Sequence, residues 1–121
     1  MRICVTSQGD NLDSKVDPRF GRCQYFIIVD SDTLEFEAVK NPNIDGMGGV
    51  GVQSAQFVIS KDLAAVLTGN VGPNAFSTLG AANLKVITGV SGTIKEVVDN
   101  YKNGKYNSIN GPSVDSKFGM S

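Results

Sequence analysis

The stretch Asp17-Pro18-Arg19-Phe20-Gly21-Arg22-Cys23-Gln24-Tyr25-Phe26 puts two guanidinium groups and one thiol on a Pro-initiated turn that runs into an apolar strand. Arg19 and Arg22 flank Phe20 and Gly21, and a tight turn there sends both guanidinium groups to one side, with Cys23 beside them. Each guanidinium offers several donors in a rigid fork, so the pair suits the clamping of an anion. A thiol next to fixed positive charge is expected to lose its proton more easily, and the thiolate is the form that ligates metal. The chemistry expected is capture of a negatively charged group that contains metal and sulfur. Arg19, Phe20, Gly21 and Arg22 would form the contact, and Cys23 would be the metal ligand. Blander readings stand beside these. The arginines can pair with Asp13 or Asp17, which is worth little at a surface, and Cys23 can be a small buried residue at a strand start. One cysteine cannot complete a four-ligand site, so a metal would need sulfide or a second subunit. Val114-Asp115-Ser116-Lys117-Phe118-Gly119-Met120 echoes the first stretch: acid, base, Phe-Gly, then a sulfur residue.

Three further segments offer anion-binding backbone. Gly46-Met47-Gly48-Gly49-Val50-Gly51 precedes a predicted helix, and Gly46, Gly48 and Gly49 let backbone N–H groups approach a ligand where the helix N-terminus favours negative charge. The loop lacks the Lys-Ser/Thr of a phosphate loop; it can equally be a flexible loop, with Met47 a packing residue. Asn70-Val71-Gly72-Pro73-Asn74 also opens a helix; Asn70, Gly72 and Asn74 are its candidate contacts, against the plain reading of a turn feeding a Pro-started helix. Ser91-Gly92-Thr93 reads first as a helix cap, Thr93 and Glu96 having capping-box spacing.

The elements that must position these residues follow from pattern. Strands are expected at Arg2–Thr6, Tyr25–Asp30, Leu34–Val39, Leu63–Thr68 and Leu84–Thr88, the second and third joined as a hairpin by Ser31-Asp32-Thr33. Helices are expected at Val50–Lys61, Pro73–Ala82 and from Thr93 to Tyr101, with Gly104 as the stop. Residues 7–18 read as a polar loop in which Asp10, Asp13 and Asp17 are solvated. The order β-β-β-α-β-α-β-α combines an antiparallel hairpin with right-handed parallel crossovers, hence a mixed five-stranded sheet with helices on both faces. Ligands of such sheets bind outside the carboxyl ends of the strands. The loops 7–24, 70–74 and 89–93 leave those ends, and the loop 41–49 leads into a helix start, so four loops are expected at one rim. Cys4, within the first strand, reads as core.

At 121 residues the chain is expected to form one domain, residues 1–104, followed by a polar tail over 105–121. Such a chain buries roughly two-thirds of its unfolded surface and needs no disulfide or metal to fold. Eleven basic and 12 acidic residues give a net charge of −1, which offers no electrostatic case for nucleic acid or an anionic membrane. No apolar run approaches the roughly 20 residues of a membrane span, and the N-terminus lacks the pattern of a signal peptide. The expected location is the cytoplasm, with both cysteines reduced. Histidine is absent, so no Ser/His or Cys/His pair exists, and the first strand has no acid of the kind nucleases use. The chain is not expected to be an enzyme.

Read in order, Met1-Arg2-Ile3-Cys4-Val5-Thr6, the turn and strand Arg19–Phe26, Asn41-Pro42-Asn43 leading to the glycine loop, Thr68-Gly69-Asn70-Val71-Gly72-Pro73-Asn74-Ala75, Thr88-Gly89-Val90-Ser91-Gly92-Thr93 and the Phe118-Gly119-Met120 tail resemble the dinitrogenase iron–molybdenum cofactor-binding domain family. The likeness is to its small stand-alone, NifX/NifB-C-terminal-like branch from anaerobes, and it spans nearly the whole chain. The resemblance implies a ribonuclease H-like α/β/α sandwich. It also implies a non-catalytic carrier or scaffold of an iron–sulfur or molybdenum/iron sulfide cluster, with a cluster-donating or cluster-accepting protein as partner. The oligomeric state is left open, and such a protein can purify without cluster. Nitrogenase-associated members often carry histidine on both sides of Phe-Gly; Arg19 and Arg22 stand there in this chain, which disfavours imidazole ligation but suits a polyanion. The alternative is a metal-free interaction or regulatory module of the same fold.

Overall fold

The computed structural model describes residues 1–42 and 50–106. Eight elements follow one another: β1 (Arg2–Ser7), β2 (Tyr25–Asp30), β3 (Phe36–Lys40), α1 (Val50–Ile59), β4 (Ala65–Leu67), α2 (Pro73–Ala81), β5 (Lys85–Ile87) and α3 (Ile94–Lys102). The strands form one mixed five-stranded sheet in the order β3-β2-β1-β4-β5. β1 is central: it pairs antiparallel with β2, from Arg2 opposite Asp30 to Ser7 opposite Tyr25, and parallel with β4, Cys4 opposite Val66. β4 and β5 are parallel, as the expected crossovers require.

Side-chain alternation along the strands divides the interior into two layers. Cys4, Phe26, Ile28, Val66 and Val86 face one side of the sheet and pack with Ala55 and Val58 of α1 and Ala75 and Leu79 of α2. Ile3, Val5, Ile27, Val29, Ala65, Leu67 and Ile87 face the other side and pack with Ile94, Val97 and Val98 of α3. β1 and β2 are covered on both faces, which is why they read as continuous apolar runs rather than as alternating ones. No helix of the described residues is long and apolar enough to cross a membrane.

Element ends differ from the sequence expectation where the backbone turns left-handed. β3 begins at Phe36 rather than Leu34, because Leu34 has φ +65° and donates its N–H back to Asp30 O at 2.9 Å, closing the hairpin turn. α1 ends before Lys61, and Asp62, with φ +56°, delays β4 until Ala65. α2 ends at Ala81, and Asn83, with φ +61°, redirects the chain toward β5. The capping box of α3 is present: Thr93 Oγ1 accepts from Glu96 N at 3.2 Å, and Glu96 Oε1 accepts from Thr93 N at 3.1 Å. The bonds to Thr93 hold the Glu96 carboxyl below its ordinary pKa. Lys105 and Tyr106 remain attached to α3 through Lys105 N to Asn100 O and Asn100 Nδ2 to Tyr106 OH. Residues 107–121, with the Phe118-Gly119-Met120 echo, lie outside the described residues, as do Gly46, Met47, Gly48 and Gly49.

Candidate anion-binding rim

Loops from the carboxyl ends of β1, β4 and β5 meet at one edge, and the loop after β1 binds them together. Ser7 pairs with Val16 and Lys15 with Thr93, so this loop folds back on its own strand and then reaches the start of α3. Val16 N donates to Gly92 O at 2.9 Å. The next residues cross the loop after β4: Arg19 and Asn70 form a parallel bridge, and Asn70 N donates to Pro18 O at 2.8 Å. Gly69 makes this crossing feasible, since a Cβ there would lie 2.6 Å from Pro18 Cα and 2.8 Å from Pro18 O.

Asp17 anchors the turn. Its backbone N–H donates to Thr6 O at 2.9 Å, and its carbonyl accepts from Thr6 Oγ1 at 2.6 Å. Asp17 Oδ1 accepts from Arg19 N at 3.0 Å, an Asx turn that sets the chain direction after Pro18. The same carboxylate receives the Arg19 fork, Nε to Oδ1 at 3.2 Å and Nη2 to Oδ2 at 3.3 Å. Asp17 is therefore not the solvated loop acid that the sequence suggested: its side chain is 2% exposed while that of Arg19 is 61% exposed. The hydrogen bond that Arg19 donates to Asp17, reinforced by the carboxylate's charge, raises the Arg19 pKa above its already high ordinary value. Arg22 is exposed on the same turn and engaged in further contacts.

Phe20 and Cys23 point inward. Phe20 is 3% exposed and stacks at a tilt on Phe26, their centroids 6.0 Å apart. Cys23 is fully buried and donates its thiol to Phe20 O at 3.5 Å. The expectation of an easily ionised thiol is corrected here: burial, with the Asp17 charge second, pushes Cys23 up to about 12. Arg19 does pull the thiol down, as the sequence suggested, but it is the weakest of the influences. Cys4 is likewise buried, and burial raises its thiol well above the ordinary value.

Gly21 sits between the turn and the helices. A Cβ on it would lie 3.2 Å from Gly51 Cα and N, in the first turn of α1, and a Cβ on Gly51 would lie 3.4 Å from Ala75 Cβ, in the first turn of α2. The starts of α1 and α2 thus flank the Arg19–Arg22 turn. The α2 start has Gly72 at the N-cap with no side-chain cap hydrogen bond, and Pro73 carries no N–H. Its first-turn donors are the N–H groups of Asn74 and Ala75, at the positive end of the helix dipole. Asn70 and Asn74 are exposed beside it, and Gly72 is half-buried. The α3 start is closed by its own capping box, so the two helix starts at this edge have opposite character.

Among the described residues no group of three or more Cys, Asp or Glu side chains is placed to hold a metal ion. The donor set suits an anion: a guanidinium fixed on a buried carboxylate, a second arginine on the same turn and an open helix start. Sequence reasoning missed Asp17 as the anchor, although Asp before Pro-Arg carries an Asx-turn signal. It also missed Asn41 and Ser54, whose partners on the turn lie far away along the chain.

Residues 1–104 match the family model described as dinitrogenase iron-molybdenum cofactor. The apo form of the orange protein from Desulfovibrio gigas is 37% identical and superposes with a TM-score of 0.90, over 93% of this chain and 96% of that one. A NifB-like protein of Thermotoga, solved by NMR, is 37% identical with a TM-score of 0.75, over 88% of this chain and 91% of that one. An uncharacterized protein of Methanocaldococcus jannaschii is 30% identical over 96 residues, which are 77% of this chain and 81% of that protein.

Proposed function

The chain belongs to the dinitrogenase iron-molybdenum cofactor family, and from that premise we propose that it carries or scaffolds an anionic metal–sulfur cluster, either iron–sulfur or molybdenum-containing sulfide. The cluster is cargo, handed on to or received from a protein partner, and no bond in it is made or broken by an acid–base or nucleophilic group of this chain. The observation that carries the reading is the convergence of the Arg19–Arg22 turn with the starts of α1 and α2, through Gly21, Gly51 and Ala75. Arg19 supplies charge that Asp17 keeps in place; Arg22 adds a second cation on the turn. Asn70, Gly72 and Asn74 supply polar and backbone donors from the α2 side, and Gly46, Gly48 and Gly49 belong to the segment that enters α1.

Phe20 and Cys23 contribute from behind the turn, as packing that fixes the backbone. Ligation by Cys23 would require a thiol held neutral to about pH 12 to reach the surface and ionise. Retention therefore rests on charge and hydrogen bonds, which are strongest where an ionised donor meets an anion.

The test is anaerobic incubation with tetrathiomolybdate, a coloured dianionic metal sulfide, and separately with iron and sulfide. Desalting, a visible spectrum and metal analysis follow. The wild type is expected to retain a stoichiometric coloured complex, and the Arg19→Ala/Arg22→Ala variant to bind about 100-fold more weakly, the loss of two charge-assisted contacts. A wild-type protein that emerges colourless and metal-free from both incubations overturns the reading in favour of a metal-free interaction module.

A further inference from the structure

The carboxamide of Asn41, just after β3, is 2% exposed and spends its Nδ2 hydrogens on two carbonyls of the arginine turn, Gly21 O at 3.1 Å and Cys23 O at 3.0 Å. Ser54, fully buried on α1, donates its hydroxyl to the same Gly21 O at 3.3 Å. The Asn41 backbone is tied to this segment too, donating its N–H to Gln24 O at 3.0 Å. Among uncharged side-chain groups only a primary amide has two hydrogens on one nitrogen with which to bridge two carbonyls, so this buried site suits Asn by chemistry and not by size alone.

A trans peptide points its N–H opposite to its C=O. Where Asn41 and Ser54 draw Gly21 O and Cys23 O toward themselves, the N–H groups of the same peptide units, those of Arg22 and Gln24, point the other way. We infer that Asn41 is a positioning residue for the anion rim: it turns carbonyl oxygens away from the ligand and thereby makes the turn select anions over cations. This inference rests on the proposed anion-binding function and adds to it the residue that sets the sign of the site. Carbonyls left to swing outward would repel a metal sulfide and attract a cation, while Arg19 and Arg22 stayed in place.

Two variants test it. Asn41→Asp keeps the shape but replaces the two-hydrogen donor with a carboxylate facing two carbonyls; Asn41→Ser keeps one donor and covers the case in which Asn41→Asp fails to fold. Binding of tetrathiomolybdate is measured anaerobically from about pH 8 to about pH 5, a range in which buried carboxyl groups titrate. At the upper end both variants are expected to bind at least about tenfold more weakly than wild type, the effect of losing buried hydrogen bonds that orient the site. Asn41→Asp is expected to regain part of its affinity as pH falls, because protonation removes the carboxylate charge that faces the two carbonyls and leaves one O–H donor; Asn41→Ser, which carries no such charge, and wild type are expected to lack that recovery. A merely structural role would lower the melting temperature without this pH-dependent recovery of affinity. If folded variants bind as tightly as wild type, or if Asn41→Asp stays weak throughout, the inference is overturned while the anion-binding function stands. If wild type itself binds no tetrathiomolybdate, the underlying function fails first.

Discussion

Cys23 stands between two influences that the order of residues alone cannot rank. Its arginine neighbour favours the thiolate; the apolar wall of Phe20 and the α1/α2 layer favours the thiol, and the wall wins by pushing the group up to about 12. An unfolded cysteine loses its proton near about 8.5. Because the folded value is the higher one, this thiol contributes stability that is full below the unfolded value and is lost as pH rises from there toward about 12. Cys4 shifts in the same direction. Cys23→Ser keeps a donor for Phe20 O but does not titrate in this range. Thermal melts between neutral pH and about pH 10.5 are expected to fall more steeply for wild type than for Cys23→Ser, on the unfolded thiol's titration near about 8.5. Parallel melting curves would mean that the thiol ionises as readily in the folded protein as in the unfolded one. Of the residues that the sequence singled out, the place of Arg19 on an exposed turn could be read because the Asp-Pro-Arg turn signal is local. The ease of ionisation expected of Cys23 was not legible, because the burial that sets it depends on α1 and α2, which come later in the chain.

At the scale of elements, what holds the candidate site is the crossing of two loops rather than any helix or strand. Pro18 and Arg19 cross Gly69–Asn70, and the missing side chain of Gly69 gives that crossing room, with Pro18 Cα 2.6 Å from where a Cβ would be. The obstruction is main chain and cannot rotate aside. Gly69→Ala is expected to destabilise the protein by about 1–3 kcal/mol, the usual cost of overpacking, and to displace the Arg19–Asn70 bridge. Urea unfolding with tetrathiomolybdate titration checks both effects; an alanine variant as stable and as retentive as wild type would show that the loops do not need to touch. Helix and strand identities were legible because their signals are short-range: Pro73 opens α2, and the Thr93–Glu96 box opens α3. Strand ends were less so: Leu34 turns left-handed for reasons of hairpin geometry that its type does not announce, and Asp62 and Asn83, types that tolerate positive φ, do not say by themselves that they will adopt it. The loop crossing was not legible either: Gly69 in Thr68-Gly69-Asn70 reads as a turn residue, and nothing local names Pro18 as its neighbour.

Over the whole molecule, the element order sufficed to derive a mixed five-stranded sheet and to gather the loops after β1, β4 and β5 at one rim, because crossover handedness and strand direction leave few arrangements. A net charge of −1 argues neither for nor against an anion ligand, because the charge that matters to a site is local: among the described residues, two arginines on one turn and a helix start whose N-cap makes no side-chain hydrogen bond. Such a site exists only when the chain is folded, since its parts come from loops after three different strands. Ligand binding must then stabilise the folded state by mass action. At tetrathiomolybdate concentrations about 100 times the dissociation constant, the gain is about 2.7 kcal/mol, enough to raise the melting temperature by on the order of 10 °C in a domain of this size. The rise is expected to follow the logarithm of ligand concentration, to shrink with added salt as the attraction between charges is screened, and to vanish in Arg19→Ala/Arg22→Ala. Binding through Cys4 and Cys23 makes the opposite prediction. Both thiols are buried in the folded protein and exposed in the unfolded chain, so a thiol-seeking metal sulfide would lower the melting temperature instead. Calorimetric scans against ligand concentration therefore distinguish an anion held by folded loops from metal scavenged by unfolded cysteines, and a fall in melting temperature would remove the arginine turn from the cluster-binding account.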